Sequence, residues 1–389
     1  MTWPKLPLAD VLEFREGPGI LAADFHDSGI PLVRLAGLKR GRDLLEGCNF
    51  LDPAKVEARW SQFRLREGDV LLSTSASLGE VAVVGESAVG AVPYTGLIAF
   101  RPKNYNVVHP GFIPLMLRER AFRDQIEAMG VGSVMKHFGP SHLRVMSVTV
   151  PPLREQRAIA EVLGALDDKI AANTTLIAAA EELAIAKLHW PDAPRTHLGN
   201  VVFHRRSQVN PAQLSESTVA HYSLPAFDQG AVPETVDPGL IKSGKFVVDT
   251  PAVLVSKLNP QTPRIWRVEF DPSTTRLAST EFLVLEPFTC TPQVLWAILN
   301  QPDFSRYLQG LVAGTTGSHQ RVRPADVLGT SILDPREIPS PLHDELNAIL
   351  RPVDALKAEN RTLAATRDTL LPQLMSGKLR VRDAAQAVS

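Results

Sequence analysis

A chain of 389 residues exceeds one ordinary core, so two or more domains are expected, and 44% hydrophobic with 21% charged residues is the make-up of a folded, water-facing protein. No apolar run approaches the roughly 20 residues a spanning helix needs, and residues 1–7 lack the apolar stretch of a signal peptide, so a cytoplasmic location is expected. Lys and Arg number 41 against 42 Asp and Glu, and neither residues 1–150 (17 basic, 16 acidic) nor 196–330 (11 and 11) have the basic excess of a protein that grips nucleic acid unaided.

In chain order, residues 1–150 read as a first globular domain. Pro31-Leu32-Val33-Arg34-Leu35 is a predicted strand, followed by a basic tip from Gly37 to Arg42. Further strands are predicted at 70–74, 81–84 and 97–102, with the small polar stretch Ser75-Ala76-Ser77-Leu78-Gly79 after the first of these. Helical spacing runs from Phe112 to Ala128, with Ile113, Leu115, Met116, Phe122 and Ile126 as the inner face. A Gly-rich loop, Gly130-Val131-Gly132-Ser133, then carries Lys136 and His137.

Residues 151–190 form a predicted rod. Pro151-Pro152 ends what precedes it and opens a helix. Ile159, Val162, Leu163, Leu166, Ile170, Leu176, Ile177, Ala180, Leu183 and Ala184 follow at helical spacing, and about thirty-five residues at 1.5 Å rise make a rod roughly 50 Å long. Residues 191–335 replay the first domain: 198–203 parallels 8–14, 221–225 the strand at Leu32, 252–257 the strand at 70–75, and 281–285 the strand at 96–100. A helix over 293–311 again leads to a Gly-rich loop, 314–318. A second rod occupies 336–382, with Leu342, Leu346, Ile349, Val353, Leu356, Leu363, Leu370 and Leu374 on its seam, and 383–389 is a tail. A shift of 187 positions superposes the two rods and lays Asn173 on Asn360, a polar pair suited to fixing helix register. Gly164 and Pro352 are matched weak points where a kink is expected. The expected fold is therefore α+β, a two-copy internal duplication in the order globular domain, rod, globular domain, rod.

Catalytic signatures are missing. The run 239–246 has P-loop spacing, but Phe246 stands where Ser or Thr must hold magnesium, and a strand follows where a helix is required. Cys48 and Cys290 fit no metal or redox spacing and read as small buried side chains. The histidines match no zinc pattern, and no Gly-x-Ser-x-Gly elbow occurs. What recurs is a set of loops bearing guanidinium, amide and hydroxyl groups, which can read base edges. The candidates in the first domain are Lys39, Arg40, Arg42, Ser73, Thr74, Ser75, Ser77, Lys136 and His137. Those in the second are Arg205, Arg206, Lys257, Asn259, Gln261, Ser318, His319, Gln320 and Arg321.

Val150-Pro151-Pro152-Leu153-Arg154-Glu155-Gln156 leading into Ile159-Ala160-Glu161-Val162-Leu163, the run from Leu370 to Val381, and Gly317-Ser318-His319-Gln320-Arg321 together resemble the specificity subunit of type I restriction–modification systems. The second proline motif is degraded to Ile338-Pro339-Ser340-Pro341-Leu342. The resemblance implies two similar target-recognition domains that read the halves of a bipartite DNA target, separated by two long helices that pair as an antiparallel coiled coil and set the gap. It implies no catalysis and no cofactor in this chain, and no metal. Two methyltransferase subunits would dock along the rods and bring S-adenosylmethionine for adenine methylation, and restriction–translocase subunits could join. Such partners would share the phosphate contacts that a near-neutral chain lacks. The alternative reading is a coiled-coil assembly adaptor whose globular domains bind protein rather than DNA.

Overall fold

The computed structural model describes residues 3–40, 43–75, 78–128, 138–190, 192–269, 271–311 and 320–388. The chain divides into two units, Met1–Ala172 with Thr362–Ser389, and Asn173–Arg361. Both divisions fall inside the long helices, Leu153–Lys187 and Ser340–Met375, so each unit holds a globular domain and a stretch of each helix.

The first unit is built on a four-stranded antiparallel sheet in the order Leu12–Glu16, Leu97–Pro102, Val70–Ser73, Val81–Val83. A three-stranded sheet has Ile30–Val33 at its centre, antiparallel to Asn49–Leu51 and parallel to Val92–Pro93. Lys5–Pro7 pairs with Ser147–Thr149. The expected helix over 112–128 is two helices, Ile113–Arg118 and Arg120–Ala128, because Glu119 between them adopts an extended ψ of 137°. All five residues expected on its inner face are buried. They share one core with Leu72, Ile98 and Phe100 of the sheet, Ile159, Leu163 and Leu166 of one long helix, and Leu370 and Leu374 of the other. Burial of about 1.5–3 kcal/mol per large apolar side chain thus fastens both helices to the domain.

The second unit repeats the plan. Its four-stranded sheet runs Val202–Arg205, Phe282–Pro287, Ala252–Ser256, Ile265–Val268, the same order with the same antiparallel pairings. Arg195–His197 pairs with Ser331–Leu333, and Val219–Tyr222 runs parallel to Arg276–Ser279 and antiparallel to Glu234–Val236. That sheet gains two strands, Lys245–Val247 and Gln208–Val209. Here too the expected single helix is two, Pro292–Leu299 and Pro302–Gly310, since Pro302 has no N–H with which to continue the first. Leu283, Leu295 and Leu299 share a core with Ile177 and Ala184 of one long helix, Leu188 just past its end, and Leu346, Leu350 and Val353 of the other.

The long helices run antiparallel. Within the second unit Asn173 meets Asn360 while Lys187 meets Glu345, so position advances along one helix as it recedes along the other. The seam differs from expectation at two places: Leu176 and Leu183 are exposed, while Ile177 and Ala184, expected beside them, are buried together with Asn173. Both helices continue through Gly164 and Pro352. The second rod stops at Met375, short of residue 382: Gly377 takes φ +67°, Lys378 N–H donates to the Gln373 carbonyl at 3.0 Å, and a separate helix Val381–Val388 replaces the expected tail.

Gln156 explains the proline motif physically. Its side chain is fully buried, its Nε2 donates to the Val107 and Pro151 carbonyls at 2.8 and 2.7 Å, and its Oε1 accepts from His109 N–H at 2.8 Å. One amide thus closes three backbone groups where the domain meets the helix start.

Candidate nucleic-acid interface

In the second unit the strand Ala252–Ser256 runs out into Lys257, Leu258 and Asn259, and residues 320–322 fold back onto it. Lys257 N–H donates to the Glu281 carbonyl at 2.8 Å, and the Lys257 carbonyl accepts from Val322 N–H at 3.0 Å. Leu258 bridges Arg321, and Asn259 N–H donates to the Gln320 carbonyl at 2.9 Å. Asn259 has φ +53°, the left-handed region that a short amide side chain tolerates. Ser256 Oγ fixes the turn by donating to the Leu258 carbonyl and accepting from its N–H.

Arg321 makes a two-pronged pair with Glu281 at 3.0 and 2.8 Å, which holds the Glu281 carboxyl below the ordinary glutamate range and raises the guanidinium. Arg206 donates to His204 Nδ1 at 3.3 Å. Burial, then the positive charges of Arg206 and Lys257, depress the His204 pKa. Lys257 also lowers Glu281, so Arg206, Lys257 and Arg321 share one electrostatic neighbourhood. The structure therefore brings together Arg206, Lys257, Asn259, Gln320 and Arg321 out of the expected set. The Gln261 carbonyl accepts from Gln309 at 3.3 Å. Arg205 is engaged elsewhere, paired to Glu286 across the sheet with its guanidinium over the Phe203 ring at 5.1 Å.

The first unit has the same junction: Phe138 N–H donates to the Thr74 carbonyl, the counterpart of the Val322–Lys257 bond. The expectation that Ser73 and Thr74 stand at a loop tip is corrected, because both are fully buried. Ser73 ends a strand and its Oγ accepts from Glu80 N–H at 2.8 Å, while Thr74 N–H donates to the Gly96 carbonyl. Ser75 is half-buried, with its Oγ 2.5 Å from where a Cβ on Gly96 would sit, and the φ of +84° at Gly96 favours glycine there. The basic tip expected at 37–42 is corrected as well: the described part is a helix, Leu35–Arg40, with Lys39 and Arg40 in its last turn. Arg42, Ser77, Lys136, His137, Ser318 and His319 lie outside the described residues, as do both Gly-rich loops.

The P-loop-like run is a short 3-10 turn at Pro238–Leu240 followed by the strand Lys245–Val247, and Lys245 is buried with its ammonium on the Ser243 carbonyl and hydroxyl. Cys48 and Cys290 are free and half-buried, and burial pushes the Cys290 thiol up to about 12. Among the described residues no group of His, Cys, Asp and Glu could hold a metal ion, and no helix is long and apolar enough to cross a membrane.

Sequence reasoning missed one concentration of charge. A cleft of about 580 Å³ beside the paired strands Leu12–Glu16 and Leu97–Pro102 of the first unit is lined by Arg15, Arg66, Arg101, Lys103 and Arg144, with Glu13 as the one carboxylate among the described lining residues. These cations come from four separate stretches of chain, so no local run betrays them. The i, i+2 spacing of Glu13 with Arg15 and of Arg101 with Lys103, one face of a strand, is the signal that was available.

Residues 1–182 match the family model described as the type I restriction modification DNA specificity domain. The specificity subunit of the type I restriction enzyme EcoKI from Escherichia coli K12 is 24% identical over 143 residues, 36% of this chain and 30% of that protein. The putative MjaX specificity subunit from Methanocaldococcus jannaschii is 24% identical over 173 residues, 43% of this chain and 40% of that protein. The chain thus spans less than half the length of these curated relatives. The crystal structure of the type I restriction-modification S subunit from M. genitalium shares the fold, with a TM-score of 0.56 at 14% identity over 96% of both chains.

Proposed function

We propose, from the premise that residues 1–182 belong to the type I restriction modification DNA specificity domain family, that the whole chain is the DNA-recognition subunit of such a system. In this reading each unit reads one half of a bipartite target, and the paired helices set the gap. The observation that carries it is the duplication: both units build the same four-stranded sheet, and in both the segment after the helix pair returns to hydrogen-bond the end of the same strand. In the second unit that junction gathers Arg206, Lys257, Asn259, Gln320 and Arg321, donors and acceptors of the kinds that read guanine and adenine edges.

The chain itself would be non-catalytic. Two methyltransferase subunits would dock along the long helices in the cytoplasm, supply S-adenosylmethionine and methylate adenine, and restriction–translocase subunits could complete the assembly. Near-neutral charge supports a shared grip on the DNA backbone, in which partners provide part of the phosphate contact. The same neutrality supports the second reading, a coiled-coil adaptor whose domains bind protein.

Selection from random duplex DNA by the chain co-purified with its methyltransferase and S-adenosylmethionine separates the two. Two short half-sites with an invariant gap are expected. No enrichment from an intact complex would favour the adaptor.

A further inference from the structure

We propose that the basic cleft on the first unit's sheet holds the sugar-phosphate backbone of duplex DNA; this rests on the DNA-recognition reading and adds to it the place where the first domain takes its electrostatic grip. Residues 1–150 are nearly neutral, 17 basic to 16 acidic, yet the cleft gathers five cations around one carboxylate. Arg101 is the compensated member: Asp69, buried beneath it, takes both prongs at 2.9 and 2.5 Å and fixes the guanidinium in place. Arg15 donates to the Gln62 carbonyl at 2.7 Å and lies over the Phe63 ring at 5.6 Å, and Lys103 donates to the Ala9 carbonyl at 2.5 Å. Arg66 and Arg144 are exposed. Among the described residues none of Arg15, Arg66, Lys103 and Arg144 has an ion-pair partner. Four positive charges without an ion-pair partner, around one cleft whose lining carries the single carboxylate of Glu13, repel one another, and an anion bound there relieves that repulsion. Their spread over four chain segments suits a row of phosphates better than a single one.

The duplication provides an internal comparison. Leu12 faces Pro102 across the first sheet, and Val202 faces Pro287 across the second, so the register aligns Glu13 with Phe203, Arg15 with Arg205, Arg101 with Glu286 and Lys103 with Phe288. In the second unit Arg205 is neutralised by Glu286, and Phe203 and Phe288 stack with centroids 4.6 Å apart. The fold does not need cations on this face. Their presence is particular to the first unit, and so is the site.

The test uses the full chain with its methyltransferase, and the double variant Arg66→Gln, Arg144→Gln, whose exposed side chains carry no ion pair. Kd is measured on a selected duplex and on an unrelated one over a range of salt. Expected are equal-fold losses on both duplexes, a slope of log K against log salt shallower by about 2, and an unchanged consensus. Arg205→Gln in the second unit is expected to leave the slope as it was. Unchanged affinity and slope in the double variant, with the wild type still selecting its sequence, would remove the cleft and leave DNA recognition standing. Loss confined to one half-site would make these residues base readers instead. Saturable binding of inorganic phosphate or a mononucleotide, lost in the variant while DNA affinity stays, would assign the cleft to a small anion. Wild type that selects no sequence would remove the recognition reading and the cleft with it.

Discussion

Arg321 shows how one side chain can be both structural and available. Its guanidinium lies on Glu281 with both prongs engaged, yet the side chain is more than half exposed (56%), so the carboxylate aims it rather than hides it. Arg321→Ala should relax one half-site only, costing about 1–3 kcal/mol of discrimination if the guanidinium contacts a base. Affinities for single-base variants of each half-site measure this, and a uniform loss would mark a phosphate contact. The pair also has a pH signature. Arg321 holds the folded Glu281 carboxyl below its ordinary value, so the pair's contribution to stability is full above the ordinary glutamate range and is lost as pH falls through the lower folded value. Urea midpoints of wild type and Glu281→Gln should therefore differ at neutral pH and converge in acid; a constant difference would mean the pair has no part in it. Gln156 is a purely structural contrast. Gln156→Ala leaves three backbone groups without their buried partner, and a loss of about 3 kcal/mol in chemical unfolding is expected.

The paired helices were foreseeable as elements because apolar periodicity over thirty-five residues leaves little else for them to be. Their seam was foreseeable only in part. Leu176 and Leu183 fit a helical stripe as well as their neighbours do, and periodicity cannot choose between adjacent stripes; packing chose the one through Asn173, Ile177 and Ala184. The candidate site divides along the same line. Arg321 and Asn259 were found because they lie in short polar runs of the chain, whereas Arg15, Arg66 and Arg144 converge only through sheet pairing and loop return, which no local window contains. Ser73 and Thr74 failed for the converse reason: a small polar run beside a loop is equally suited to closing a strand end in the interior. Within the seam, Asn173 Nδ2 donates to Asn360 Oδ1 at 2.9 Å and to Glu359 at 2.6 Å, and Asn360 donates to Thr174 Oγ1 at 3.2 Å. Such a pair favours one register at some cost in stability. Asn173→Leu with Asn360→Leu should raise the melting temperature while spreading the selected DNA gap over more than one length. A lower melting temperature with a single gap would assign the asparagines to stability alone.

In the proposed reading, a duplicated chain whose two units each read a half-site gains specificity from the spacing between the half-sites as well as from the bases in them, provided something stiff keeps that spacing. A helix is suited to the task because its rise per residue is fixed by backbone hydrogen bonds and survives surface substitution. The boundary between the two units crosses each long helix once, at Ala172–Asn173 and at Arg361–Thr362. Seven residues inserted at both crossings preserve the heptad phase of the seam, so the helices can still pair, and they lengthen each by about 10 Å. With one base pair per 3.4 Å of duplex, the selected gap should grow by roughly three base pairs while both half-sites stay the same. A seven-residue insertion in only one helix breaks the match between partners and should lower stability without giving a new, well-defined gap. Selection from random duplex DNA with the two insertion variants measures both outcomes. A gap that stays put in the matched variant would mean that the spacing is set by the methyltransferase partners, and that the helices serve only to hold the two reading units in one chain.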